Sequence, residues 1–243
     1  MSRKAILIEA SNVPRLSKLA GATKDVADVE DFLCRPLGGA WERSEIITLH
    51  TPTKAKVESE IIEARSADYA FVLFSGHGCQ RGDRELSDQV VCLADGELSV
   101  ASLDPRNQKR LIIFDSCREY EPLQEALALS EMVRKYARAY DRRAESRRLF
   151  DAAVAAAGPG KSVMYSCTPG ETAKDSRSFT QFLMNGSKRW SDGLSDDTRA
   201  AVLYCDSLFT WASAKVTEDE PTQHPQSDLG RRIHQFPFAV HVQ

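Results

Sequence analysis

The 243-residue chain lacks several things that would have settled its class at once. No apolar run is long enough for a membrane helix or the core of a signal peptide, so no membrane partner is expected. None of its six cysteines stands in CxxC or CxxxC spacing, which removes the common zinc modules. There is no internal repeat and no low-complexity tail. Charge of one sign is also missing. The net charge of −3 leaves no basic footprint for nucleic acid. Cys34, Cys79, Cys92, Cys117, Cys167 and Cys205 include several inside apolar runs, which suits reduced thiols and a cytoplasmic protein. What is present is a 42% hydrophobic composition, enough for a sizeable core, and one domain spanning 1–243 is expected.

Two stretches share one design. Leu111 to Phe114 reads as a buried parallel strand and stops abruptly at Asp115-Ser116-Cys117. Tyr69 to Phe74 is a second such run and ends in Ser75-Gly76-His77-Gly78. In an open α/β sheet, chemistry sits beyond the carboxyl ends of the strands. Two neighbouring strands would bring His77 and Cys117 to one sheet edge. An imidazole there takes the thiol proton and makes the reactive thiolate. A lone cysteine at a strand end is by default a small buried hydrophobe. A histidine between two glycines is harder to dismiss, because glycines there imply close backbone approach.

The other elements follow in order. Lys4 to Glu9 and Ser44 to His50 read as strands. From Asp25, Val26, Val29, Phe32 and Leu33 keep helical spacing, with Thr23 or Asp25 as the cap. Thr53 to Arg65 reads as a helix with Val57, Ile61 and Ile62 on one face. Gly82-Asp83 and Asp95-Gly96 mark turns around a hairpin arm from Gln89 to Leu93. A helical, Arg-rich insertion occupies 119–160, broken at Gly158-Pro159-Gly160. Ser162 to Cys167 is a strand, and Thr180 to Met184 and Thr198 to Ala214 are helices. Glu218 to Asp228 is a loop, and Phe236 to Val242 is the last strand. Alternating strands and helices make an α/β fold, a three-layer α/β/α sandwich.

Phe74-Ser-Gly-His77-Gly and Ile113-Phe-Asp-Ser-Cys117-Arg resemble the His and Cys motifs of the caspase/metacaspase clan of cysteine peptidases. The Asp-Ser-Cys form is closer to metacaspases and bacterial caspase-like peptidases than to animal caspases, which carry Gln-Ala-Cys. Leu19-Ala-Gly21 through Asp25 is similar to a third segment of that clan, so the resemblance covers nearly the whole chain. It implies a mostly parallel six-stranded caspase-like sheet and a regulated endopeptidase acting on protein substrates through a His77–Cys117 dyad. The oxyanion formed by attack on a peptide carbonyl needs waiting backbone N–H groups. Gly78 and Cys117 are the natural donors. No Asp or Asn clearly orients His77.

The resemblance also speaks to specificity. Ser166-Cys-Thr-Pro-Gly170 is similar to the caspase segment whose arginine, five residues past the glycine, binds a substrate aspartate. Here that position is Asp175, inverted in charge as in metacaspases. Asp25 and Ser75 match the acidic and serine positions of the metacaspase motifs. Together Asp25, Ser75 and Asp175 imply an S1 pocket for Arg or Lys. Read singly, Asp25 would be a helix cap and Asp175 a loop residue. Many metacaspases bind activating calcium through paired aspartates after the fifth strand; this chain has Thr168-Pro169-Gly170, so no cofactor or metal is expected. Arg118-Glu119-Tyr120 also replaces the usual residues after the nucleophile. Arg138, Arg142, Arg143, Arg147 and Arg148 lie where caspases are cut on activation, and an upstream protease of a stress or defence pathway, or the enzyme itself, is expected to cut there. A solvated helix face is the plain alternative. A dimer through the C-terminal edge strand is a further expectation. Two other classes compete: a silent scaffold of the same fold, and a receiver-type phosphoryl domain built on Asp115, which would need an acidic pair where the chain has only Glu9.

Overall fold

The computed structural model describes residues 1–81, 88–117, 140–175 and 178–243. In chain order the elements are β1 (Arg3–Ala10), α1 (Ala20–Cys34), β2 (Ile46–His50), α2 (Lys54–Glu63), β3 (Tyr69–Gly76), β4 (Gly78–Arg81), β5 (Asp88–Leu93) and β6 (Gly96–Ser99). They continue with β7 (Lys109–Asp115), α3 (Tyr140–Ala156), β8 (Gly160–Tyr165), α4 (Phe179–Asp192), β9 (Ala200–Tyr204), α5 (Cys205–Asp219), β10 (Gln226–Asp228) and β11 (Pro237–Val242). The Gly82-Asp83 turn and the part of the insertion before Tyr140 lie outside the described residues.

A six-stranded sheet in the order β10-β8-β7-β3-β1-β2 forms the middle layer. Its pairings are parallel except for β10, which runs antiparallel to β8. The strands are apolar on both faces because both faces are covered. Ala5, Leu7, Phe71, Leu73, Leu111 and Ile113 face a core shared with α1, α3, α4 and α5. The alternate residues Ile6, Ile8, Val72, Phe74, Ile112 and Phe114 face α2 and the three-stranded sheet β4-β5-β6. This is the expected three-layer α/β/α sandwich with a mostly parallel six-stranded sheet.

Four expectations are corrected. Thr198 to Ala214 is not one helix. Ala200–Tyr204 is strand β9, and the helix α5 starts at Cys205 and runs to Asp219. Alanine favours a helix by itself, which is why the stretch reads as one, and β9 forms because β11 is there to pair with it. The last strand exists, but it belongs to that separate two-stranded sheet and not to the edge of the main one. The main edge is β10, inside the stretch expected to be a loop; all of its residues are exposed, so no apolar pattern marked it. Finally, neither Thr23 nor Asp25 caps α1. Both lie inside the helix, whose capping position is Leu19, without a side-chain hydrogen bond.

The insertion helix α3 is fastened by charge as well as by Phe150 and Val154. The Arg3 guanidinium, fully buried on β1, lies 2.9 Å from Asp151 and donates to the Gly39 carbonyl at 3.0 Å. It also stacks over Trp41 and Phe150, at 5.0 and 5.1 Å. Burial pulls its pKa down, and Asp151 opposes that pull. Asp151→Asn would leave this cation uncompensated. We expect it to lower the free energy of urea unfolding by about 2–3 kcal/mol, the smaller end for a broken buried pair because Asp151 is partly hydrated. An unchanged unfolding midpoint would remove Arg3 from the packing argument.

Candidate active site

The site begins with strand register. β3 and β7 are parallel neighbours, and their last paired residues are Ser75 and Asp115. His77 and Cys117 each follow that pair by two residues, so both leave the sheet at the same level. Backbone contact at Gly78 makes this close. A Cβ there would stand 2.9 Å from Ser116 Oγ and 3.1 Å from the Cys117 carbonyl oxygen, so only glycine fits.

His77 is buried, and its Nε2 lies 2.7 Å from the Ser17 carbonyl oxygen. A carbonyl only accepts, so Nε2 carries the proton and the neutral ring keeps Nδ1 as its basic atom. No Asp or Asn signal had indicated an orienting group. A backbone carbonyl fills that place, and no side-chain motif could have disclosed it. Cys117 is partly exposed, and its thiol donates to the Ala173 carbonyl at 3.6 Å. The preceding residue is strapped to the end of β8: the Ser116 amide donates to Ser166 Oγ, and that hydroxyl donates back to the Ser116 carbonyl, both at 3.1 Å.

Beside His77 and Cys117 lies a buried acidic pair. Asp25, on the buried face of α1, accepts from Ser75 Oγ at 3.1 Å, Ser178 Oγ at 2.5 Å and Gln181 Nε2 at 3.3 Å. Asp115 accepts from the Thr180 amide at 2.7 Å, at the N-terminus of α4 where unpaired N–H groups favour an anion. Asp25 is 1% exposed and Asp115 6%. Burial first, then the Asp115 charge, push the Asp25 carboxyl up to about 8. Burial pushes Asp115 up to about 6, against the pull of the Thr180 amide. Among the described residues, no Lys or Arg bonds to either carboxylate. Two buried acids without a cation are costly.

Asp175 is drawn to the same corner but does a different job. Its carboxylate accepts from the Gly21 amide at 3.1 Å, so a distant loop caps α1 where no local residue does. The approach is tight: a Cβ on Gly21 would stand 2.0 Å from the Asp175 carbonyl oxygen. Of the expected S1 residues, Asp25 and Ser75 are bonded to each other, whereas Asp175 is bonded to the start of α1. Sequence reasoning missed Asp115, Ser178 and Gln181. Asp115 stood inside the Cys motif, and Ser178 ahead of an apolar run is a capping signal.

The arginines expected as cleavage points are dispersed in their roles. Arg138 lies outside the described residues. Arg142 and Arg148 are exposed. Arg143 donates to the Cys34 and Trp41 carbonyls and approaches Glu42 at 3.3 Å. Arg147 makes a two-point bond to Glu45, at 2.8 and 2.5 Å. These two hold α3 against the segment between α1 and β2. Among the described residues, no cluster of His, Cys, Asp or Glu is placed to hold a metal ion, and no helix is long and apolar enough to cross a membrane.

A carboxyl whose pKa is raised by folding stabilises the fold only while protonated, so its contribution is full below about pH 4 and lost as pH rises through the folded value. Asp25→Asn removes that dependence. We expect the variant and the wild type to unfold alike near pH 4. By pH 8 the variant should lead by on the order of a few kcal/mol. A gap that does not widen with pH would show that Asp25 is ionised throughout.

The model of the caspase domain matches residues 2–228. No curated protein matches the chain by sequence. Among solved structures, caspase-1 from Spodoptera frugiperda superposes with a TM-score of 0.58 at 15% identity, covering 93% of this chain and 86% of that one. Protein GSU0716 from Geobacter sulfurreducens superposes with a TM-score of 0.61 at 20% identity, covering 94% and 93%.

Proposed function

Because the chain belongs to the caspase-domain family, we propose that it is a cysteine endopeptidase that cuts protein substrates after arginine or lysine. The observation that carries the specificity is the buried pair Asp25 and Asp115 beside Cys117, to which no Lys or Arg among the described residues bonds. A guanidinium or ammonium entering there would supply the missing counter-charge. Asp25, Ser75 and Asp115 make the floor of the S1 pocket, and Asp175 stands at its mouth.

The chemistry follows from the dyad. His77 Nδ1 takes the thiol proton, and the Cys117 thiolate attacks the scissile carbonyl carbon. The Gly78 and Cys117 N–H groups receive the oxyanion. As the tetrahedral species collapses, the C–N bond breaks and His77 returns the proton to the departing amine. Water, deprotonated by the same imidazole, then hydrolyses the thioester and restores the thiol. No metal or cofactor has a part in this sequence. Arg143 and Arg147 are bound to the segment between α1 and β2, which leaves Arg138, Arg142 and Arg148 for an activating cut made by the enzyme itself or by an upstream protease.

Fluorogenic peptides differing only at P1 test the reading. Arg and Lys peptides should be cut and Asp peptides should not. Cys117→Ala and His77→Ala should each lower kcat by about 10³-fold or more while the unfolding curve stays in place. Asp115→Asn should cost roughly 2–5 kcal/mol in kcat/KM for Arg peptides, the loss typical of one truncated partner in a desolvated pair. Cleavage dominated by P1 aspartate would sink the specificity. A folded protein that cuts nothing would favour the scaffold reading.

The pocket acids also set a pH dependence. At low pH the empty pocket holds protons, and a cationic side chain must displace them. KM for an Arg peptide should therefore fall as pH rises from about 6 to about 8, the raised values of Asp115 and Asp25. A flat KM across that range would show that the pair is ionised before substrate arrives.

A further inference from the structure

The loop between β8 and α4 carries the Ala173 carbonyl, which accepts from the Cys117 thiol, and Asp175, whose carboxylate accepts from the Gly21 amide. Among its described residues this loop has no helix or strand to hold it. It is held instead from the connection between α5 and β10, and chiefly by one side chain. Gln223 is 1% exposed. Its Nε2 donates to the Ser166 carbonyl at 2.8 Å, and its Oε1 accepts from the Lys174 amide at 3.0 Å. A single buried amide thus joins the start of the loop to its far side. On the first side, Ser166 is the residue whose hydroxyl bridges the backbone of Ser116, next to Cys117. On the second, Lys174 adjoins Ala173. Gln223 is in turn fixed by its own main chain. Its amide donates to the Glu220 carbonyl at 3.0 Å, and its carbonyl accepts from Thr217 Oγ1 at 3.0 Å. Filling the space would need only an apolar side chain. A buried amide bonded at both ends fixes a geometry as well.

We propose that Gln223 is a positioning residue of the peptidase: by bridging Ser166 and Lys174 it holds the Ala173 carbonyl and Asp175 at the distances from Cys117 that substrate binding requires. The neighbouring bonds act in the same direction. Glu171 accepts from the Thr168 and His224 amides at 3.1 and 2.8 Å, and Thr168 Oγ1 donates to the His224 carbonyl at 2.9 Å. They close the turn of the loop, whereas Gln223 spans it. The proposal rests on the peptidase reading for its kinetic consequence, but not for its effect on the thiol.

Gln223→Met keeps length and volume and loses both bonds. Two measurements follow: kcat and KM on an Arg peptide, and the rate of iodoacetamide alkylation at each cysteine by peptide mass spectrometry. Cys79 and Cys205, both buried, report whether the variant is folded. We expect kcat/KM to fall by about tenfold or more, mostly through KM, since misplacement of binding groups by about 1 Å has effects of that order. Cys117 should alkylate about threefold faster or more, because the carbonyl that holds its neutral thiol is released. Cys79 and Cys205 should stay protected. Activity within about twofold of the wild type overturns the proposal. A loss of activity with Cys117 alkylation unchanged overturns it equally, since the loop would then not bear on the thiol. If Gln223→Met exposes all the cysteines, Gln223→Glu is measured instead. It keeps the acceptor for Lys174 and loses only the donor to Ser166, and the same two outcomes decide. Should the wild type cut no Arg or Lys peptide, the peptidase reading falls, and alkylation of Cys117 alone decides whether Gln223 holds the loop.

Discussion

The in-register parallel pairing of β3 with β7 is the constraint on which the site depends. Ser75 opposite Asp115 places His77 and Cys117 at one level beyond the sheet. Strand register has a period of two, so a slip by one residue would turn every side chain to the other face. Here such a slip would exchange the core shared with α1 for the core shared with α2. Both faces are apolar, but they are filled by different partners, and both would have to repack. The same packing that stabilises the sheet therefore also aligns His77 with Cys117.

Against that stable frame stands a destabilising feature. Asp25 and Asp115 are buried side by side, and their donors among the described residues are hydroxyls, an amide side chain and a helix N-terminus, not cations. Such donors satisfy hydrogen bonds but do not remove the cost of two charges in a poorly hydrated place. Folded proteins carry strain of this kind where a ligand relieves it. The corner is supplied by four separate elements: α1, β3, β7 and α4. Each contributes one or two groups, so the acidic pair exists only when all of them have docked.

The third organising relation is between two irregular segments. The loop after β8 and the connection after α5 are tied by Gln223, Glu171, Thr168 and His224. Asp175, on that same loop, caps α1. Cys117 is thus flanked by segments that hold one another, and the regular elements determine only where those segments start and stop.

Much of this was readable from the chain, and the reason is local. Apolar runs that end abruptly, helical spacing in α1 and α2, and glycines flanking a histidine each express a constraint between near neighbours. They were enough for the fold class and for placing His77 and Cys117 at one edge of the sheet. The misread elements were those whose state a partner decides. β10 has no apolar pattern, β9 is a strand only because β11 pairs with it, and α1 is capped from a loop more than half the chain away. The same divide runs through the site. The motif residues Asp25 and Ser75 were legible, whereas the Ser17 carbonyl and the amide of Thr180 are backbone groups that any residue would supply. Asp115 was visible as a residue but not as the partner of Asp25, and Gln223 left no signal at all. Sequence alone determined which groups could do chemistry here. Tertiary structure decided which of them meet, because hydrogen bonds and charge act over a few ångströms of space, whatever the separation along the chain.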